Sequence, residues 1–132
     1  MTELLYLSEP WRDEVEKRLK ANLSPEKMNF ISSSMSNIYT NCPDGKTHFL
    51  FFQFEEGTFK AVTTGTQDPP KAEFMITGNY EIFAKISRSE LGSHKALMMG
   101  KLKLKGNMIK ALKLASVADR INKVVSTIDA QY

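Results

Sequence analysis

Apolar side chains return every four residues at Trp11, Val15, Leu19 and Leu23, the spacing of one face of a helix. Ser8 stands where it can cap that helix, and Pro10 falls in its first turn, where a missing N–H costs little. Ser24-Pro25-Glu26 restarts the pattern and predicts a second helix through Met28 and Ile31, ended by Ser32-Ser33-Ser34. Residues 1–34 therefore read as N-terminal helices. From Met35 the period changes to two, with Met35, Asn37, Tyr39 and Asn41 on one side and Ser36, Ile38 and Thr40 on the other. Pro43-Asp44-Gly45 is a turn signal. The run from Thr47 to Glu55 carries Phe49, Leu50, Phe51, Phe52 and Phe54 and reads as a central strand. Glu55-Glu56-Gly57 turns the chain again into a strand from Thr58 to Thr64, which makes an antiparallel meander.

Thr66-Gln67-Asp68-Pro69-Pro70 is a loop by composition, and Ala72 to Thr77 is a fourth strand. Gly78-Asn79 breaks it, and Asn79 can cap a helix carrying Ile82, Phe83 and Ile86. A helix or loop covers Glu90 to Met98. Gly100 to Gly106 is a fifth strand, with Leu102 and Leu104 on one face and Lys101, Lys103 and Lys105 on the other. Asn107 caps a long C-terminal helical region bearing two apolar stripes: Met108, Ala111, Leu112 and Ala115, then Leu114, Val117, Ala118, Ile121, Val125 and Ile128. The stripes are displaced by roughly a third of a turn. Either the helix bends near Ser116, with Ser116 and Asp119 opening a second helix, or its two halves cover different surfaces. The order of elements is that of an α+β domain, with helices on one face of a mixed, mostly antiparallel sheet.

A chain of 132 residues is near the commonest size for one domain. With 42% hydrophobic and 25% charged residues, it can build a core without staples. Cys42 is its one cysteine, so no intramolecular disulfide forms, in keeping with a reducing cytoplasm. The N-terminus does not resemble a secretion signal, and no run approaches the ~18 apolar residues of a membrane span. A cytoplasmic protein is therefore expected. The formal charge is +3, and the segment from Lys95 onward is markedly basic, a source of attraction for anionic head groups.

Candidate chemistry is sparse. His48 and His94 have no His, Cys, Asp or Glu partner at a metal-ligand spacing, and nothing local supplies Cys42 with a base. Glu55-Glu56 sits in a turn. Gly100 and Gly106 lack the spacing of phosphate-cradling loops. Lys101, Lys103 and Lys105 have no interleaved aromatic platform for nucleic acid. No catalytic residue, metal site or cofactor is expected, and the chain does not read as an enzyme. What stands out is softness: Met98, Met99 and Met108 lie near Phe83, Ile86 and Leu97 in the sequence order, and methionine suits adaptable apolar sites.

The stretch Ala96-Leu97-Met98-Met99-Gly100-Lys101-Leu102-Lys103-Leu104-Lys105-Gly106-Asn107-Met108 resembles the signature of the sterol carrier protein 2 family, a G-K-L-K-[apolar]-x-G-[Asn/Asp]-[apolar] run leading into a helix. The Asp44-Gly45 hairpin, the apolar strand before Gly57, the Ala72 to Thr77 strand and the Ile82-Phe83 helix follow in matching order. The likeness covers roughly residues 35–114, a stand-alone domain of that family. It departs at Leu50, where many relatives carry an aromatic, and in residues 116–132, an extra amphipathic helix. The resemblance implies a five-stranded sheet with helices enclosing an apolar tunnel, and binding or transfer of a fatty acid, acyl-coenzyme A, sterol or phospholipid. Phe52, Met75, Phe83, Ile86, Leu97, Met98, Met108 and Leu112 are then the expected ligand contacts. Transient contact with a membrane surface, and a homodimer through the C-terminal helix, are the associated partner expectations. The alternatives are an interaction module with a filled core, or the accessory subunit of an acyl-processing enzyme.

Overall fold

The computed structural model describes residues 3–132. Met1 and Thr2, the first residues of the segment tested for a secretion signal, lie outside them. Helix α1 spans Glu9–Asn22, and the Ser8 hydroxyl accepts the Trp11 N–H as its cap. Trp11, Val15 and Leu19 are fully buried, each contributing ~1.5–3 kcal/mol of apolar transfer. The second N-terminal helix does not form. The Met28 N–H reaches back to the Ser24 and Pro25 carbonyls, but Asn29 and Phe30 then take φ of 54° and 48°. Two consecutive left-handed residues stop a right-handed helix after one turn. Met28 is still buried, so the apolar pattern was real although its backbone is a turn.

The main sheet has the order β4-β3-β2-β5-β6, built from β2 (Ser33–Thr40), β3 (His48–Glu55), β4 (Thr58–Gly65), β5 (Phe74–Asn79) and β6 (Leu102–Lys105). Three of its pairings are antiparallel, and β2 with β5 is parallel. The tight turn between β3 and β4 places Glu56 at φ 49° and Gly57 at φ 80°, the two positive values of a type I′ hairpin. A Cβ on Gly57 would meet the Pro25 carbonyl oxygen at 2.5 Å, so this turn is also where the N-terminal turn docks.

Helices cover one face of the sheet. Leu50, Phe52 and Phe54 of β3 point into that core beside α1. Phe49 and Phe51 must then point the other way, yet they too are buried. The parallel step from β4 to β5 explains this, because the connecting loop has to cross β3 and β2 on the free face. The Ser36 hydroxyl donates to the Pro70 carbonyl at 2.5 Å, and the Ser34 hydroxyl accepts the Glu73 N–H, which fixes that loop in place.

After β5 come α2 (Tyr80–Ser87) and α3 (Ser93–Met98), and after β6 comes α4 (Met108–Val125), with Asn79 and Asn107 capping α2 and α4 as expected. Helix α4 runs through Ser116 without a break and ends at Val125, so the alternative of a bend with a second start at Ser116 does not form, and residues 116–132 are not a separate helix. The Ser116 hydroxyl bonds back to the Lys113 carbonyl within the helix. Helix α4 packs on α1, α2 and α3, and residues of both stripes, Ala111 and Ala115 with Leu114, Ala118, Ile121 and Val125, line one cavity beneath it. The chain ends in a two-residue strand, β7 (Ala130–Gln131), parallel to β1 (Leu4–Leu5).

Candidate ligand-binding cleft

Between the covered face of the sheet and α2, α3 and α4 lies a largely apolar cavity of about 50 Å³. Its existence traces to α4, where Ala111, Ala115 and Ala118 line it. At spacings of four and three they fall on one face, and alanine cannot fill the space that a leucine would. Leu50, Phe52, Phe74 and Ile76 form the floor.

Of the residues named from sequence, Phe52, Phe83, Ile86 and Leu97 line this cavity. Met75 does not. Its neighbours Phe74 and Ile76 point into the cavity, so strand alternation turns Met75 to the opposite face, beside Ile38, Thr77 and Lys103. Met98 and Met108 are 65% and 47% exposed, at the end of α3 and the start of α4. Leu112 is half-buried against the core without lining the cavity. Ile121, Val125 and Ile128 of the second apolar stripe are buried within this same chain, which leaves them no apolar surface to offer a second copy.

Sequence reasoning passed over the cavity's polar groups: Asn37, Tyr39, Ser87, Ser93 and Asn122. Tyr39 stacks on Phe83, and its hydroxyl lies 3.2 Å from that of Tyr6, which in turn lies 2.6 Å from the Ser87 hydroxyl. Burial pushes both phenols above their ordinary range, so they remain neutral hydroxyls in this chain of hydrogen bonds. At α3, Gly92 brings no side chain to cap the helix. The Asp119 carboxylate of α4 accepts the Ser93 N–H at 2.7 Å instead, and the Asn122 amide donates to the Ser93 hydroxyl. Asp119, read from sequence as part of a helix start near Ser116, thus caps a different helix.

His48, expected to have no metal-ligating partner, has two close by. The hairpin between β2 and β3 brings Cys42, Asp44 and His48 together, with their donor atoms all within 4.8 Å of one another. Burial raises the Cys42 thiol above its ordinary value, and the thiol donates weakly to the Tyr39 carbonyl, so it is poorly suited to act as a nucleophile. Among the described residues no helix is long and apolar enough to cross a membrane.

Comparison with known proteins agrees with this architecture. A solved structure of sterol carrier protein 2 superposes with a TM-score of 0.79 at 19% identity, covering 93% of this chain and 98% of that one. A conserved hypothetical protein from Thermus thermophilus gives 0.81 at 18% identity, with 99% and 94% covered. A palmitated protein, SCP2L2 of Aedes aegypti, gives 0.59 at 22% identity, with 83% and 92% covered. These show a shared fold. No significant match is found among curated proteins. Residues 12–119 match the SCP-2 sterol transfer family, and with most of its length inside that match the chain belongs to this family.

Proposed function

We propose that this protein binds an apolar, lipid-like ligand in the cleft between the sheet and α4, and carries it rather than transforming it. The alanine-lined cavity supports this reading most directly: it is apolar along Leu50, Phe52, Leu97 and Ala115, with a few hydroxyls and amides at its margins, the composition of a small-molecule pocket. Each methylene taken from water there contributes ~0.8 kcal/mol. In this reading the Tyr39 and Ser87 hydroxyls orient a head group, and Asn37 and Asn122, which also line the cavity, offer amides. The similar protein from Aedes aegypti is described as palmitated, which favours a fatty acyl ligand as the first to try.

The cavity in this conformation is far smaller than the ~300–1,000 Å³ of typical ligand pockets. Filling it requires α4 to part from α3 or from the sheet. The exposed Met98, Met99, Met108 and Ile109, with the lysines of β6 and α4 near them in sequence, would meet an anionic membrane surface during transfer. That electrostatic part of the reading requires vesicle binding to weaken with salt.

Native mass spectrometry of the purified protein followed by organic extraction tests the proposal. A discrete added mass that extracts as a fatty acid or other lipid supports it. An apo mass that persists after incubation with fatty acid favours a filled-core interaction module.

A further inference from the structure

We propose that Cys42, Asp44 and His48 form a binding site for a divalent, borderline-soft cation of the zinc class. The three donors come from one short segment, and the hairpin backbone converges them. Tyr39 pairs with His48 across β2 and β3, placing His48 at the base of the hairpin. Asn41 takes φ 54°, Gly45 takes φ 77°, and the Gly45 N–H donates to the Cys42 carbonyl at 2.9 Å. This curls Cys42 and Asp44 back over the imidazole. The Asp44 Oδ1 accepts the Lys46 N–H at 2.9 Å, while Oδ2 is 2.7 Å from His48 Nε2.

Ligands of a tetrahedral zinc ion stand roughly 3.3–3.6 Å apart, given Zn–S near 2.3 Å and Zn–N or Zn–O near 2.0–2.2 Å. The donor atoms here lie within 4.8 Å of one another, so an ion needs the Asp44–His48 pair to open slightly and the sulfur to close in. Asp44 sits on an exposed turn, where such a shift is easy. Coordination displaces the Cys42 thiol proton to solvent, and the resulting thiolate with an imidazole selects zinc-class ions over calcium or magnesium. Thiolate and carboxylate together neutralise a dication. A cavity of about 200 Å³ adjoins the three residues and is lined also by Leu5, Tyr80 and Tyr132. It leaves room for a fourth ligand, water or a small molecule, as in zinc sites with three protein ligands. The site is separate from the lipid cleft: none of its three residues lines that cavity.

The test is titration of the full chain with Co²⁺ as a spectroscopic stand-in, followed by displacement with Zn²⁺. One equivalent per chain is expected, with thiolate-to-cobalt charge-transfer absorption that zinc abolishes. Cys42→Ser should remove that absorption, and His48→Ala should weaken binding by more than ~10-fold, the loss that even outer-shell partners can cause. His48 is partly exposed, so its variant keeps the test valid should Cys42→Ser fold poorly, with circular dichroism as the check. Cobalt binding without thiolate absorption, or equal affinity in wild type and His48→Ala, would overturn the proposal.

Discussion

The ring of Phe83 stacks on that of Tyr39, with centroids 4.3 Å apart and planes at 29°. This contact ties α2 to the central strand β2 at the edge of the cavity, and both residues line it. Phe83→Ala should cost ~3–5 kcal/mol of stability, the usual range for removing a buried phenyl ring. Denaturant unfolding gives the value. A loss below ~1 kcal/mol would mean that α2 is held by other contacts.

The Asp119 carboxylate serves as the cap that Gly92 lacks. Asp119→Ala should cost ~0.5–2 kcal/mol, in line with other cap removals, and should speed hydrogen exchange first in α3. Uniform acceleration across the chain, or none, would contradict a local capping role.

Glu73 joins the loop before β5 to the start of α4. Its carboxylate accepts from Lys110 and, at 2.6 Å, from the Ser33 hydroxyl. These partners, Lys110 foremost, hold its carboxyl below the ordinary value of 4.5. A depressed folded value means the unfolded chain binds the proton more readily. The stabilisation is therefore fully present above about pH 4.5 and disappears as pH falls through the lower folded value. Both partners are substantially exposed, so the gain at neutral pH is under ~1 kcal/mol. Glu73→Gln should be slightly less stable than wild type at pH 7, and the two unfolding curves should converge in acid. A difference that grows in acid would reverse the sign of this account.

Much of the fold was legible because its signals are local. Ser8, Asn79 and Asn107 cap helices by bonding N–H groups two or three residues away, and the Glu56-Gly57 turn declares itself in two residues. The site was legible only in part. Alternation puts Ile76 in the cavity and Met75 outside it, yet a run such as Phe74-Met75-Ile76 is apolar on both faces, so composition does not tell them apart. The alanines at 111, 115 and 118 do carry a signal in the sequence, a helix face too small to fill the space above the sheet. Asp119 and the Tyr6–Tyr39 pair work across 26 and 33 residues, beyond the reach of any pattern along the chain. The burial of Phe49 and Phe51 likewise depends on where the β4–β5 loop crosses, which is a matter of topology. Cys42, Asp44 and His48 lie close in sequence, but only the curled hairpin makes their donors converge.

The most direct test is titration of a fluorescent fatty acid into wild type and Ala115→Leu, with folding of each checked by circular dichroism. The added side chain would occupy the cavity at an overpacking cost of ~1–3 kcal/mol. Saturable uptake of one ligand per wild-type chain, weakened at least ~10-fold in a folded Ala115→Leu protein, is the expected result. Equal uptake by both proteins would place the ligand elsewhere, and absence of uptake by wild type would contradict the carrier function itself.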